Sequence, residues 1–456
     1  MGLTKAFGKH SGYKVQVETP VLNTIYIDPT NSTSGRDGSI ANPYNSFSEV
    51  TLTNGWYYLT KRGTTMTRST ALSASGLSNV FFGTYGVGNK PIFNYTGGGS
   101  YGFYFNPTDT ITVKDIDFTT PRTTNINTLV EVAGTNLTLD GCKIYNVQGV
   151  GDGTLAGIGI RGGGTNLRIL SCEVDDVDCD GMYLRDTSNL EIGYTSITNI
   201  NQKYATIGTG ASGDGIQIDG VWPNFHIHDC LIDRSDANTG NKFGIICNSA
   251  SGINSSSAGI IERCVFKTNG NVDWALFIEQ GNGIQVRYNR FEGLTQAVRI
   301  VGIYCLNHTV HHNIFVNCSV GVGVAYTAGS PTNTKVLNNI FHKLTGYNIW
   351  VDRTSVEARN NVHFYDGASG AAFNNYGSGV ITQSNACYGD ALHYGNVTVA
   401  PNSVIGNPSF VDVANGDYSL GVASICRSAG IDVGLTEDYA GNIITGTNVE
   451  IGIYEY

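Results

Sequence analysis

One short pattern constrains this chain more than any other feature: small–apolar–x–apolar–x, returning at nearly constant spacing. It appears as GFYFN (102–106), LVEVA (129–133), GIGIR (157–161), GMYLR (181–185) and GIQID (215–219). It continues as GIICN (244–248), ALFIE (275–279), AVRIV (297–301), GVGVA (321–325) and NIWVD (348–352). The ten starts span 246 residues in nine intervals, about 27 residues per repeat. Alternation with period two makes each segment a short strand with one buried face.

A second register follows most copies: NLTLDGC (136–142), NLRILSC (166–172), NLEIGYT (189–195) and NFHIHDC (224–230), then shorter forms down to ARNN (358–361). Two places later comes a β-branched or aromatic residue, from Ile144 and Val174 to Phe315 and Phe341. Three short strands per repeat of this length predict an all-β, right-handed parallel β-helix of about ten core rungs. The second register ends in a column of like residues: Cys142, Cys172, Thr195, Cys230, Cys264, Asn289, Asn313, Asn339 and Asn361. Stacked about 4.8 Å apart, the asparagines can pass amide hydrogen bonds along the stack. The cysteines read as buried structural thiols. They include no CxxC pair for zinc, and parallel stacking suits disulfide geometry badly.

Composition agrees and excludes other classes. There are 59 Gly, 3 Met and only 14% charged residues, which favours turns and strands over helices. Net charge is −10, a poor basis for nucleic-acid binding, because phosphate contacts need Lys and Arg. No run of eighteen apolar residues predicts a membrane span. Met1–Val17 has no apolar core and is not a signal peptide as it stands. The expected location is extracellular, secreted, or on a virion. The ends lose the pattern: residues 1–77 and 366–456 read as caps of one structural domain around the coil of 78–365.

The opening YIDPTNSTSGRDGSIANPYNSF and the closing GNPSFVDVANGDYSL…GIYEY resemble the ends of pectate-lyase-like β-helix proteins. The superfamily includes polysaccharide lyases, hydrolases, epimerases and phage tailspike depolymerases. The resemblance therefore implies a polysaccharide as partner but does not choose the reaction. It also allows a monomer or, as in tailspikes, a homotrimer. CDGMYL and GDGIQI resemble the polygalacturonase segments that carry catalytic Asp residues, here Asp180 and Asp214. That family's second Asp is replaced by Gly213, and its His is missing near Phe243.

In the first register, residues between the apolar positions should face outward and stack in columns. The residues before each strand are Asp180, Asp214, Phe243, Trp274 and Gln296. The middle column is Gly159, Tyr183, Gln217, Ile246, Phe277 and Arg299. The last is Arg161, Arg185, Asp219, Asn248, Glu279 and Val301. Carboxylates, guanidinium groups and aromatics on one sheet face read as a sugar groove. Asp219 and Glu279 lie two rungs apart, about 9.6 Å at the backbone, a spacing that leaves room for a water. Asp214, Asp219 and Glu279, then Asp180, are the acid and base candidates. Tyr183, Arg185, Gln217, Asn248, Trp274, Phe277 and Arg299 would hold the sugar. Longer connections at 201–213, 235–242 and 249–257 would wall the groove. Hydrolysis is expected to need no cofactor. The rival reaction is β-elimination, with Tyr183, Lys242 or His226 as base. Asp175, Asp176 and Asp178 in VDDVDCD could then hold Ca²⁺. A third alternative is a non-catalytic carbohydrate-binding adhesin, and a fourth an epimerase.

Overall fold

The computed structural model describes residues 23–149, 156–200, 213–234, 243–248, 258–268, 274–325, 331–389, 401–445 and 449–455. Two of the three expected groove walls, 235–242 and 249–257, lie outside the described residues, as do Lys242 and residues 201–212 of the third. The strands stack into three long parallel sheets of 14, 12 and 14 strands, each strand pairing with its counterpart one turn along the chain. We call the 12-stranded sheet the front, the sheet containing Asn224–His228 the side, and the sheet containing Leu231–Asp233 the back. No helix among the described residues is long and apolar enough to cross a membrane.

Alternation places one residue set inside. Met182, Leu184, Ile216, Ile218, Ile245 and Cys247 of the front sheet are fully buried. On the back sheet, Phe266, Phe291, Phe315 and Phe341 stack at 4.8–4.9 Å between ring centres. His363 and Tyr388 continue the pile. The spacing is set by the rungs, so every ring meets the next face to face.

The asparagine column is built as the repeat implies. Asn289, Asn313 and Asn339 each donate from Nδ2 to the Oδ1 of the next member at 3.0–3.1 Å. That Oδ1 also accepts the preceding backbone N–H at 2.9–3.0 Å. The second Nδ2 proton serves backbone carbonyls such as Val286 O. Asn313→Ala therefore strips partners from several buried groups at once. At roughly 1–3 kcal/mol per orphaned group, the loss should reach about 3 kcal/mol or more in urea unfolding. A loss under about 1 kcal/mol would show the ladder to be dispensable. All ten cysteines are buried and none forms a disulfide. Thiols such as Cys230 donate to rung carbonyls instead.

Three details depart from expectation. First, the coil is longer than 78–365. Thr24–Ile27 already pairs in parallel with Tyr57–Lys61, and Ala371–Tyr376 with Tyr347–Asp352. Second, GIGIR is displaced by two residues: Ile160 pairs with Met182 and Arg161 with Tyr183. Gly162 and Gly164, both at positive φ, carry a bulge there. A Cβ on Gly162 would fall 1.8 Å from Val132 O, so the register needs glycine. Third, the C-terminal segment lies along the side of the coil. Tyr418, Leu420, Ile451 and Ile453 pack on the outward Ile314, Val316, Ile340 and Val362 of the back sheet. Asn338 and Asn360 bind its backbone at Gly452 and Ile431. At the other end, Phe47 of a short 3-10 turn, Phe47–Glu49, sits 5.8–6.2 Å from the Phe93, Phe82 and Tyr58 rings.

Candidate active-site groove on the front sheet

The outward middle column of the front sheet runs Tyr104, Glu131, Arg161, Tyr183, Gln217, Ile246, Phe277, Arg299, Gly323, Trp350. Gly159 has left it and Arg161 has entered, because the strand pairs two residues further along on both its neighbours.

Asp219 closes its strand beside Arg185 on the previous rung. Its Oδ2 accepts from Tyr183 OH at 2.8 Å, and its Oδ1 from Gly220 N–H at 2.7 Å. Arg185 Nε stands 3.8 Å from Oδ2. The same hydrogen bond, with burial as the larger cause, pushes Tyr183 up to about 12. A phenol held protonated is poorly suited to be the base of an elimination. Asn248 follows on the next rung; its backbone carbonyl accepts from Trp222 Nε1 at 3.2 Å, and its buried Oδ1 has no partner among the described residues. Glu279 is the third member. It is half-buried, forms no hydrogen bond or ion pair among the described residues, and burial raises its pKa.

Next to these lies an apolar floor. Ile246, Phe277 and Val301 point away from the coil interior, yet all three are buried. Phe243 and Trp274 stack at 5.2 Å, and both rings lie within 4.9 Å of Phe277. Trp350 and Arg299 extend the floor, with the guanidinium carbon 4.3 Å from the Trp350 ring centre. Trp350 was legible as the middle residue of NIWVD, one of the repeat copies.

Asp180 and Asp214 do not face this groove. They are 3% and 6% exposed, no more buried than Asp219 at 3%, but their contacts turn them into the corner between back and front sheets. Asp180 Oδ1 accepts the Asp214 N–H at 2.8 Å, and Asp214 Oδ1 accepts the Phe243 N–H at 3.0 Å. Each pins the turn of the following rung. The reason is Arg234, 2% exposed, which donates to Gly213 O at 2.8 Å and Phe243 O at 3.1 Å. Burial raises both carboxyls, Asp214 to about 6, and lowers Arg234 to about 10. Arg234 carries no motif; only its place at the end of a back strand brings it to the pair.

The acidic turn is also committed elsewhere. Asp176 and Asp178 form ion pairs with Arg122, and Asp178 accepts the Gly149 N–H. Asp175 accepts from Thr198 and Asn199, with Lys143 at 3.4 Å. Thus these three carboxylates do not converge as a Ca²⁺ cage. Among the described residues, no three His, Cys, Asp or Glu side chains are grouped to hold a metal ion. His226 lies on the side sheet, paired with Glu262 at 3.0 Å. His228, His311 and His312 are buried, in or beside the same ionic network.

The architecture is that of the right-handed parallel β-helix, and residues 92–256 match the family model described as right handed beta helix region. Solved structures of similar fold include XylC in complex with xylose, 9% identical, with TM-score 0.50 and coverage of 94% of this chain and 98% of that one. Pectate lyase Pel9A is 17% identical, with TM-score 0.45 and coverage of 95% and 96%. The catalytic unit of the thermostable GH87 alpha-1,3-glucanase from Streptomyces thermodiastaticus is 12% identical, with TM-score 0.49 and coverage of 77% and 64%. At such identities the likeness concerns the fold. No curated protein sequence matches the chain.

Proposed function

We propose that the front-sheet groove hydrolyses glycosidic bonds of a polysaccharide, with Glu279 as acid and Asp219 as base. The observation that carries this is the contrast between the two carboxyls. Glu279 has no hydrogen bond or ion pair among the described residues, and burial raises its pKa, which favours the protonated form an acid needs. Asp219 is surrounded by donors, which suits a proton acceptor. In the reaction, Glu279 protonates the leaving glycosidic oxygen as its bond to the anomeric carbon breaks. A water attacks that carbon from the opposite face and loses its proton to Asp219. The two residues are about 9.6 Å apart at the backbone by the strand spacing, close to the upper end of the carboxyl separation of inverting enzymes. The ring face formed by Phe243, Trp274 and Phe277 supports a sugar by stacking. The chemistry uses no cofactor. A polymer substrate of this kind places the protein outside cells or on a virion.

The test is a polysaccharide panel read for reducing ends, for the ultraviolet absorbance of unsaturated uronates, and for the anomer first released. New reducing ends with inverted configuration and no absorbance are expected. Unsaturated products would replace hydrolysis by elimination, and binding without products would replace it by adhesion.

A further inference from the structure

Arg299 points to what kind of polysaccharide the groove takes; this step rests on the groove reading above. Its guanidinium lies 4.3 Å from the Trp350 ring centre and 6.0 Å from that of Trp274. The neighbour between Arg299 and Trp350 in the column is Gly323. A Cβ there would approach Trp350 Cε3 to 3.2 Å and both Arg299 Cδ and Nη1 to 3.4 Å. The glycine therefore leaves the slot through which Arg299 reaches the indole.

Held in this way, the guanidinium has no hydrogen bond or ion pair among the described residues, and its Nε is buried without a partner. The nearby acid Asp352 is engaged by Arg353 at 3.0 Å. Elsewhere guanidinium groups are paired, Arg287 with Glu262 and even the exposed Arg263 with Asp229 and Arg122 with Asp178. Stacking fixes the plane of a guanidinium and leaves its edge free, the form that grips an oxyanion with two parallel bonds. Arg161 repeats the theme five rungs away, 5.9 Å from the Tyr183 ring centre and likewise without an ion pair among the described residues.

We propose that the substrate is an acidic polysaccharide, with a carboxylate, sulfate or phosphate substituent of one sugar held by Arg299 beside the Trp350 and Trp274 rings.

The test is equilibrium binding by tryptophan fluorescence and calorimetry. The probes are polygalacturonate, alginate and chondroitin sulfate, each beside its carboxyl-reduced form, with desulfated chondroitin and a phosphate-bearing capsular polymer beside its dephosphorylated form. At least one acidic polymer should bind tenfold or more tightly than its neutralised partner. Arg299→Met should erase that gap, with the larger loss falling on the acidic form. Arg299→Lys, which keeps the charge and loses the fork, should restore part of it and covers the case in which Arg299→Met fails to fold. Loss of the gap on carboxyl reduction, desulfation or dephosphorylation identifies the anion. The proposal falls if no acidic polymer binds better than its neutralised form, or if the gap survives Arg299→Met. An acidic polymer bound with the gap but never cleaved would sink the hydrolase reading and leave this one standing. A neutral polymer cleaved through Glu279 would do the reverse.

Discussion

Glu279→Gln and Asp219→Asn should each slow polysaccharide cleavage by roughly 10²–10⁴, the range that positioned acid–base groups contribute. Substrate affinity should change little, because each variant preserves shape. The two losses arise differently. Glu279→Gln removes the proton donor from a half-buried site. Asp219→Asn keeps the contacts of Tyr183 and Gly220 within reach but cannot take a proton from water. Wild-type activity should fall as pH rises through the elevated pKa of Glu279, since the acid must stay protonated. In Glu279→Gln that alkaline limb should vanish along with most of the rate. Initial rates against pH for the three proteins check this. A Glu279→Gln variant retaining a tenth or more of wild-type activity would remove Glu279 from the reaction. Thermal melts guard against a trivial cause; both variants should melt close to wild type.

Arg234→Met should be the most destabilising single change in the groove region, by about 3–5 kcal/mol near pH 8. Methionine fills comparable volume, so the loss is electrostatic and hydrogen-bonded rather than a cavity. It strips the Arg234 donor from the Gly213 carbonyl, takes one of two donors from the Phe243 carbonyl and removes the cation facing Asp180 and Asp214. The pH dependence follows from the direction of the carboxyl shifts. Both folded-state values lie above the ordinary carboxylate value, Asp214 at about 6. Stability contributed by the protonated forms is therefore complete below about pH 4 and declines as pH rises through about 6. Without Arg234, the carboxyls bind protons still more strongly, so the destabilisation should shrink near pH 5. Urea unfolding of both proteins at the two pH values measures the difference. An equal, small loss at both would show that the pair needs no counter-charge. Asp180→Asn with Asp214→Asn should cost more together than the sum of the singles, because only the double variant leaves Arg234 buried with no anion.

Repeat-level features of this molecule are written along the chain. Stacking at one rung per repeat means that residues a repeat apart are neighbours, so Asn313 and Asn339, or Phe315 and Phe341, are found by counting. Period-two alternation likewise predicts that Tyr183, Arg185, Gln217 and Arg299 lie on the outer side of the front sheet, as they do. What counting cannot supply is the direction of a side chain at the end of a strand, where alternation stops. Asp214 precedes and Asp219 ends the same four-residue strand, yet one turns inward to Arg234 and the next rung's amide. The other stays with Tyr183 and Arg185. The choice depends on a counter-charge delivered from a different sheet, through connections whose lengths vary from rung to rung. The same holds for the register that places Arg161 in the column two residues from the repeat's own alignment and for the contact of Arg299 with Trp350 across Gly323. Local alternation and rung spacing determined the coil and its columns; burial, counter-charge and backbone fit between distant segments decided which column members could act.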